Sequence, residues 1–321
     1  MLAANFDALN VGGVPISGGG ASFASLIRAP APGGNTYWVG NRSDLPSGDG
    51  YSAANPCASL GGANGIFARM AARVNRGDVV YVLPGHAENV NAADWAALMT
   101  TSSGFSIVGL GIGIERPQLT WTISTATFLL DTDAVQLANL RMWLAGPSGT
   151  GSLTVAAPIT VSGNGCSMIG NEFNWGFDAG SIVGTGIICT GTDFKFIGNK
   201  ALCDVAAVPT ETFLRLNAAD RAVIAYNDIR GATAGTTVGV IKGLTNASVD
   251  LDVRRNFLQN KIANSTIAFS PLASSTGVFA YNEFSVEVGI LPITASIGRW
   301  HENYCCDTAG LASALVGSAS S

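Results

Sequence analysis

Carboxylates are the first residues to weigh for chemistry. Asp131 and Asp133 flank Thr132, and Glu172, Asp178, Asp193 and Asp204 follow along the chain. Two carboxylates about 5–9.5 Å apart across a groove would hydrolyse a glycosidic bond. Several aspartates around a calcium ion, with a basic residue beside them, would instead abstract a proton as polysaccharide lyases do. His86 stands two positions before Glu88, after Pro84-Gly85, and the two could form an acid–base pair. A turn histidine that bonds its neighbours or contacts another subunit needs no chemistry and is the favoured reading. The Cys305-Cys306 pair could cross-link subunits, whereas Cys166, Cys189 and Cys203 sit among small and apolar residues as buried thiols. No CxxC is present and His86 is far from His301, so a zinc site is not expected. Gly109-Leu110-Gly111-Ile112-Gly113 is a glycine-rich turn with no helix after it, which does not make a phosphate loop. The expectation is therefore no catalytic residue, no metal and no cofactor.

Whatever these side chains do, a repeat must position them. Met168-Ile169-Gly170-Asn171-Glu172-Phe173 returns as Phe196-Ile197-Gly198-Asn199 and as Ile224-Ala225-Tyr226-Asn227-Asp228-Ile229. Val253-Arg254-Arg255-Asn256-Phe257, Val278-Phe279-Ala280-Tyr281-Asn282-Glu283-Phe284 and Trp300-His301-Glu302-Asn303-Tyr304 continue it. The asparagines stand at 171, 199, 227, 256, 282 and 303, with successive differences of 28, 28, 29, 26 and 21. Asn139 extends the series upstream with a gap of 32, and Leu110 holds the asparagine slot one repeat before that. A period near 28 fits a solenoid coil of three short strands. The fold class is all-β: a single-stranded, right-handed parallel β-helix with an N-terminal capping helix. Roughly eight coils would make a rod about 40 Å long. Asparagine suits the bend between two sheets because it tolerates left-handed backbone and its amide can bond the same residue in the next coil. Asn139, Asn171, Asn199, Asn227, Asn256, Asn282 and Asn303 are thus expected to form a structural ladder. Phe173, Ile229 and Phe284, two positions on, would stack in the core. A β-sandwich accounts for the composition but not for the period.

In such a solenoid, catalytic acids of neighbouring coils would recur at the period of the asparagines. Asp178 and Asp204 differ by 26 in position, and the other carboxylates read as solvated turn residues. Trp95, Trp121, Trp143, Trp175 and Trp300 fall into no common register that would form a sugar platform.

Four segments follow. Residues 1–36, rich in Gly, Ala, Ser and Pro, read as a flexible arm, with a β-turn-β piece at Leu9 to Ile16. Residues 37–78 hold an entry strand at Tyr37-Trp38-Val39 and the capping helix. That helix would start at Ser59 and present Phe67, Met70, Ala71 and Val74 on one face. The β-helix runs over 79–304, with a helical excursion at Ala92 to Met99, and 305–321 form a tail.

Charged residues are 12% of the chain, net charge is −5, 40 residues are glycine, and mean hydropathy is +0.32. A surface so poor in charge suits a protein covered by partners. No basic run marks a nucleic-acid surface, no apolar run reaches the roughly 18 residues of a membrane span, and no secretion signal is expected at Met1 to Asp7.

Gly77-Asp78-Val79-Val80-Tyr81-Val82-Leu83-Pro84-Gly85-His86-Ala87-Glu88 resembles a motif of tailed-bacteriophage virion proteins built on pectin-lyase-like β-helices. Gly104-Phe105-Ser106-Ile107-Val108-Gly109-Leu110-Gly111 with Glu115-Arg116-Pro117 is similar to the same group, as is Glu302-Asn303-Tyr304 with Asp307-Thr308-Ala309-Gly310. The likeness spans roughly 37–316. It implies a virion protein made in the host cytoplasm: a homotrimeric decoration or cement protein bound to the major capsid protein, with neither nucleic acid nor membrane as partner. The alternative it implies is a tailspike or fibre that binds, or as a lesser option cleaves, host surface polysaccharide. Arg116 is expected to brace a coil through Glu115 or Glu88.

Overall fold

Strands of two to five residues stack coil upon coil into three long parallel sheets and a parallel pair, Leu153–Val155 with Ser181–Val183. The computed structural model describes residues 9–11, 14–16, 34–41, 48–62, 64–71, 77–90, 95, 103–144, 153–175, 181–203, 211–231, 238–287, 298–307 and 313–316. Among these residues, sheet I has ten strands, from Thr36–Val39, Val79–Val82 and Ser106–Gly109 to Arg299–His301. Sheet II has nine parallel strands, from Ala87–Val90 to Asn303–Asp307, closed by Ser313–Val316, which runs antiparallel. Sheet III has six, from Phe128–Leu130 to Phe269–Ser270. The fold is thus a parallel β-helix. Ten stacked strands make it about 43 Å long at ~4.8 Å per coil, two coils more than the asparagine repeat alone suggests. Leu9–Val11 and Val14–Ile16 form an antiparallel hairpin, in agreement with the sequence.

Strand pairing fixes the coil length. Ser167 pairs with Lys195, and Lys195 with Val223, so each partner lies one asparagine period further along the chain. Alternate side chains of each strand therefore stack on their equivalents. In sheet I the inward column runs through Val80, Ile107, Leu137, Met168, Phe196, Ile224, Val253 and Phe279, all fully buried. In sheet II it includes Phe173, Ile229 and Phe284, as the repeat predicts. Each such side chain contributes about 1.5–3 kcal/mol by leaving water. The outward column of sheet I is also apolar at its N-terminal end. Trp38, Tyr81, Val108, Ala138 and Ile169 lie in register, all under a tenth exposed, so these coils are buried on both faces.

The helix spans Ile66–Ala71 in the described residues. Its Ile66, Phe67 and Met70 enter the core, and the Phe67 ring lies 5.1 Å from Trp95 and 6.3 Å from Phe128. The helix thus closes the open N-terminal end of the solenoid. Ser59 does not cap it with its side chain, whose hydroxyl donates to the Gly61 carbonyl at 2.9 Å, but its own carbonyl accepts the Ile66 N–H at 3.1 Å. The left-handed backbone at Gly62 (φ +84°) separates Ser59 from the helix start. Val74 lies outside the described residues, and so does the Ala92 to Met99 segment apart from Trp95. No helix in the described residues is long and apolar enough to cross a membrane.

Candidate functional site: the corner between sheets I and II

The corner where the chain passes from sheet I to sheet II carries two adjacent columns, one buried and one exposed. The buried column is the ladder. Asn199 Oδ1 accepts the backbone N–H of Asn171 at 2.9 Å and its Nδ2 at 3.1 Å. Asn227 serves Asn199 in the same way, and Asn256, Asn282 and Asn303 repeat the pattern. Each Nδ2 also donates to a carbonyl of the preceding coil, as from Asn227 to Phe196 at 2.8 Å. All six side chains are within 2% of full burial, and their amides meet needs that water cannot reach.

Two expectations about these asparagines are corrected. The left-handed residue at the bend is the one before the asparagine: Gly170, Gly198, Tyr226, Arg255, Tyr281 and Glu302 have φ between 47° and 65°. Asn139 is not a rung. Ala138 pairs with Ile169, which sets Asn139 beside Gly170 and puts Leu140 in the slot of Asn171. Asn139 is itself left-handed (φ 54°) and its Nδ2 donates to the carbonyls of Gly109 and Gly111 at 2.8 and 3.0 Å. The ladder's first donor is the backbone N–H of Leu140, which bonds Asn171 Oδ1 at 3.0 Å.

The acid–base pair nominated from the sequence is a staple. His86 Nε2 lies 3.0 Å from Glu88 Oε2, and His86 is 2% exposed. Its Nδ1 accepts the Asn41 N–H at 3.0 Å, so the ring proton sits on Nε2 and points at Glu88. The two Glu88 oxygens accept the N–H groups of Leu60 and Gly61 at 2.7 and 2.9 Å. Every strong site on the pair thus ties the entry segment to the second coil. Arg116 pairs with neither Glu115 nor Glu88. Its Nη1 reaches Glu172 at 3.4 Å, near Arg141, and burial lowers its pKa more than Glu172 raises it.

The other nominated carboxylates among the described residues divide between the corner of sheets III and I, where Asp193, Asp220 and Asp250 surround Arg221, and sheet II. Asp133 Oδ1 accepts the Asn164 N–H at 2.8 Å at the corner between sheets III and I. Two coils on, Asp193 is held in a two-point pair by Arg221 at 2.8 and 2.7 Å, and this hydrogen bonding draws its pKa below the usual aspartate range. Glu172 stands on sheet II, on another face. Asp131 is partly buried beyond the Phe128–Leu130 strand. Asp178 and Asp204 lie outside the described residues. No group of three or more potential metal ligands occurs among the described residues. Cys305 is 1% exposed and faces the core, where it is closed to a neighbouring subunit. Trp121 and Trp175 do meet, with centroids 6.5 Å apart, but both are buried.

The exposed column consists of the left-handed residues themselves. In the earlier coils it is Gly170 and Gly198, which adopt this backbone without strain. In the last coils it becomes Tyr226, Arg255, Tyr281 and Glu302. Left-handed backbone costs a non-glycine residue about 1–2 kcal/mol, and a bulky one is an outlier there. The side chains remain outside: Tyr226 is 54% and Tyr281 46% exposed. The Arg255 guanidinium lies 5.5 Å from the Tyr226 ring and 5.8 Å from the Tyr281 ring, and its Nη1 donates to the Tyr226 hydroxyl at 2.9 Å. His301 packs edge-on to Tyr281 at 5.4 Å and contacts Glu302 at 3.2 Å. The repeated asparagine, as the stronger signal, hid this column from sequence reading. Its own signal lies one position earlier, where the residue before Asn switches from Gly to Tyr, Arg, Tyr and Glu.

The fold and this corner define a parallel β-helix that displays two tyrosine rings with a guanidinium between them along one edge. No family model matches the chain, and no curated protein does. Among solved structures, the crystal structure of pectate lyase Pel9A is similar, with a TM-score of 0.40 and 13% identity over 85% of this chain and 80% of that one.

Proposed function

We propose that the protein is a polysaccharide-binding β-helical rod of the fibre or tailspike type, carried on a bacteriophage particle and acting without catalysis. The exposed Tyr226–Arg255–Tyr281 column carries the reading. Flat rings turned to solvent on a rigid scaffold stack against sugar rings, and Tyr226 and Tyr281 are about half exposed. Binding without cleavage is supported by the structural engagement of His86 and Glu88, by the Arg221 pair that occupies Asp193, and by the place of Glu172 on sheet II, away from Asp133 and Asp193.

The test is retention of the full chain on a panel of bacterial surface polysaccharides, with released reducing ends followed in parallel. The proposal expects retention by at least one polymer, no new reducing ends, and loss of retention in the Tyr226→Ala/Tyr281→Ala double variant. Release of new ends overturns the non-catalytic part, and retention unaffected by the double variant overturns the site.

A second reading, a homotrimeric decoration protein on the major capsid protein, draws support from the low charged fraction of 12%. Density for this chain at local threefold positions of the phage head, in place of the tail, would favour it.

A further inference from the structure

Arg255 differs from most of the corner and sheet arginines, and of the two such arginines that lack a carboxylate partner among the described residues, Arg255 and Arg299, it alone lies between tyrosine rings. Arg221 is paired with Asp193, Arg230 with Asp228 and Arg254 with Asp252, at 2.7, 2.7 and 2.8 Å. Arg116 and Arg141 converge on Glu172. Arg255 has no carboxylate partner among the described residues. It is exposed, and its contacts are two tyrosine rings and one tyrosine hydroxyl. The contact at Nη1 leaves the N–H groups on Nη2 and Nε for an outside acceptor, and a guanidinium fork is shaped for a planar carboxylate. The neighbouring acids are directed elsewhere: Asp228 and Asp252 are taken by their own arginines, Glu283 lies in the column of Asp228 and acts on Arg230, and Glu302 is engaged by His301.

Spacing adds a second constraint. Tyr226 and Tyr281 occupy the same position two coils apart, with Arg255 in the coil between. Two coil rises are about 9.6 Å, the length of two sugar units in an extended chain. A polymer lying along the solenoid axis would set one ring near each tyrosine and bring the acid group of an intervening unit to Arg255.

From these two features, and resting on the polysaccharide-binding reading above, we infer that the ligand is an acidic glycan whose sugar carboxylate is bound by Arg255 between the Tyr226 and Tyr281 platforms, with the chain running parallel to the β-helix axis. The two rings provide stacking that any sugar accepts, and the arginine adds selection for the acid.

The experiment is affinity electrophoresis of the full chain in gels containing hyaluronate, alginate, polygalacturonate or polysialate, each beside its own carboxyl-reduced form. The expected result is retardation by at least one acidic polymer, weakened about tenfold or more by carboxyl reduction. Arg255→Gln should weaken retardation by the acidic polymer to a similar degree, with Arg255→Lys intermediate and the melting temperature unchanged. Equal retardation by acidic and reduced forms, or an Arg255→Gln protein that binds as wild type, overturns the acidic ligand and leaves sugar binding standing. Absence of retardation by every polymer, acidic or reduced, overturns both. Retardation lost in Arg255→Gln but retained in Tyr226→Ala and Tyr281→Ala overturns the sandwiched geometry.

Discussion

Asn199 Oδ1 accepts two hydrogen bonds from Asn171, one from its backbone and one from its side chain, and no water reaches either. The same asymmetric bond recurs down to Asn303, so each asparagine is the acceptor for the coil before it and a donor to the coil after it. A mid-ladder change therefore injures two coils. Asn227→Ala would leave the Asn199 N–H without an acceptor, remove one of the two acceptors of Asn199 Nδ2, and leave the Phe196 carbonyl without its amide. The expected loss is about 3 kcal/mol, measured by urea denaturation. Asn139→Ala, which removes two bonds to carbonyls outside the ladder, should cost less. Equal costs would refute the ladder's special role.

The staple predicts a different phenotype. Glu88→Gln turns an acceptor for Leu60 N–H or Gly61 N–H into a donor facing a donor. It should destabilise the chain by about 1–3 kcal/mol and detach the entry segment, visible as faster amide exchange at Leu60 and Gly61. Polysaccharide retention should not change, because the staple lies at the opposite end of the rod from Tyr281.

Strain at the exposed column is testable through stability. Tyr226→Gly and Tyr281→Gly remove a left-handed cost of about 1–2 kcal/mol against a glycine entropy loss of about 0.5–1 kcal/mol. Neither variant should melt below wild type, while both should bind polysaccharide more weakly. A clear drop in melting temperature would mean that the rings hold the fold together.

Asp193 should titrate below the ordinary aspartate value of about 3.9, because the Arg221 hydrogen bonds favour its charged form. A lowered folded-state pKa means that the pair's contribution is present above the unfolded aspartate pKa and fades as pH falls through the folded one. Arg221→Gln should return the Asp193 carboxyl to the ordinary range in an NMR titration. Both groups are solvent-exposed, so the pair is not expected to dominate acid stability.

Cys189 is buried, and loss of hydration pushes its thiol pKa far up. With Cys57, Cys166 and Cys305 also buried, alkylation of these four in the native protein should be slow and should become complete in denaturant. Rapid native labelling of Cys305 would reopen its use as a cross-link between subunits.

The coil is legible in the chain alone. An asparagine recurring at a period near 28, with apolar residues at fixed offsets from it, is enough to require stacked parallel strands. Only stacking buries equivalent residues against one another and satisfies their amides. For the same reason the repeat alone places Phe173, Ile229 and Phe284 in the core. The one-residue offsets and the long-range partners depend instead on how the coils pack. Asn139 lies one position before the ladder slot because strand pairing at Ala138 and Ile169 sets the register there, and a spacing of 32 does not reveal which of two adjacent residues turns inward. Glu88 meets Leu60, and Arg116 meets Glu172, because the solenoid brings positions one and two coils apart side by side. The Tyr226–Arg255–Tyr281 column exists only once three bends are stacked at one corner. Along the chain its members are separated by a whole coil each, and their exposure, left-handed backbone and mutual contact are properties of the solenoid.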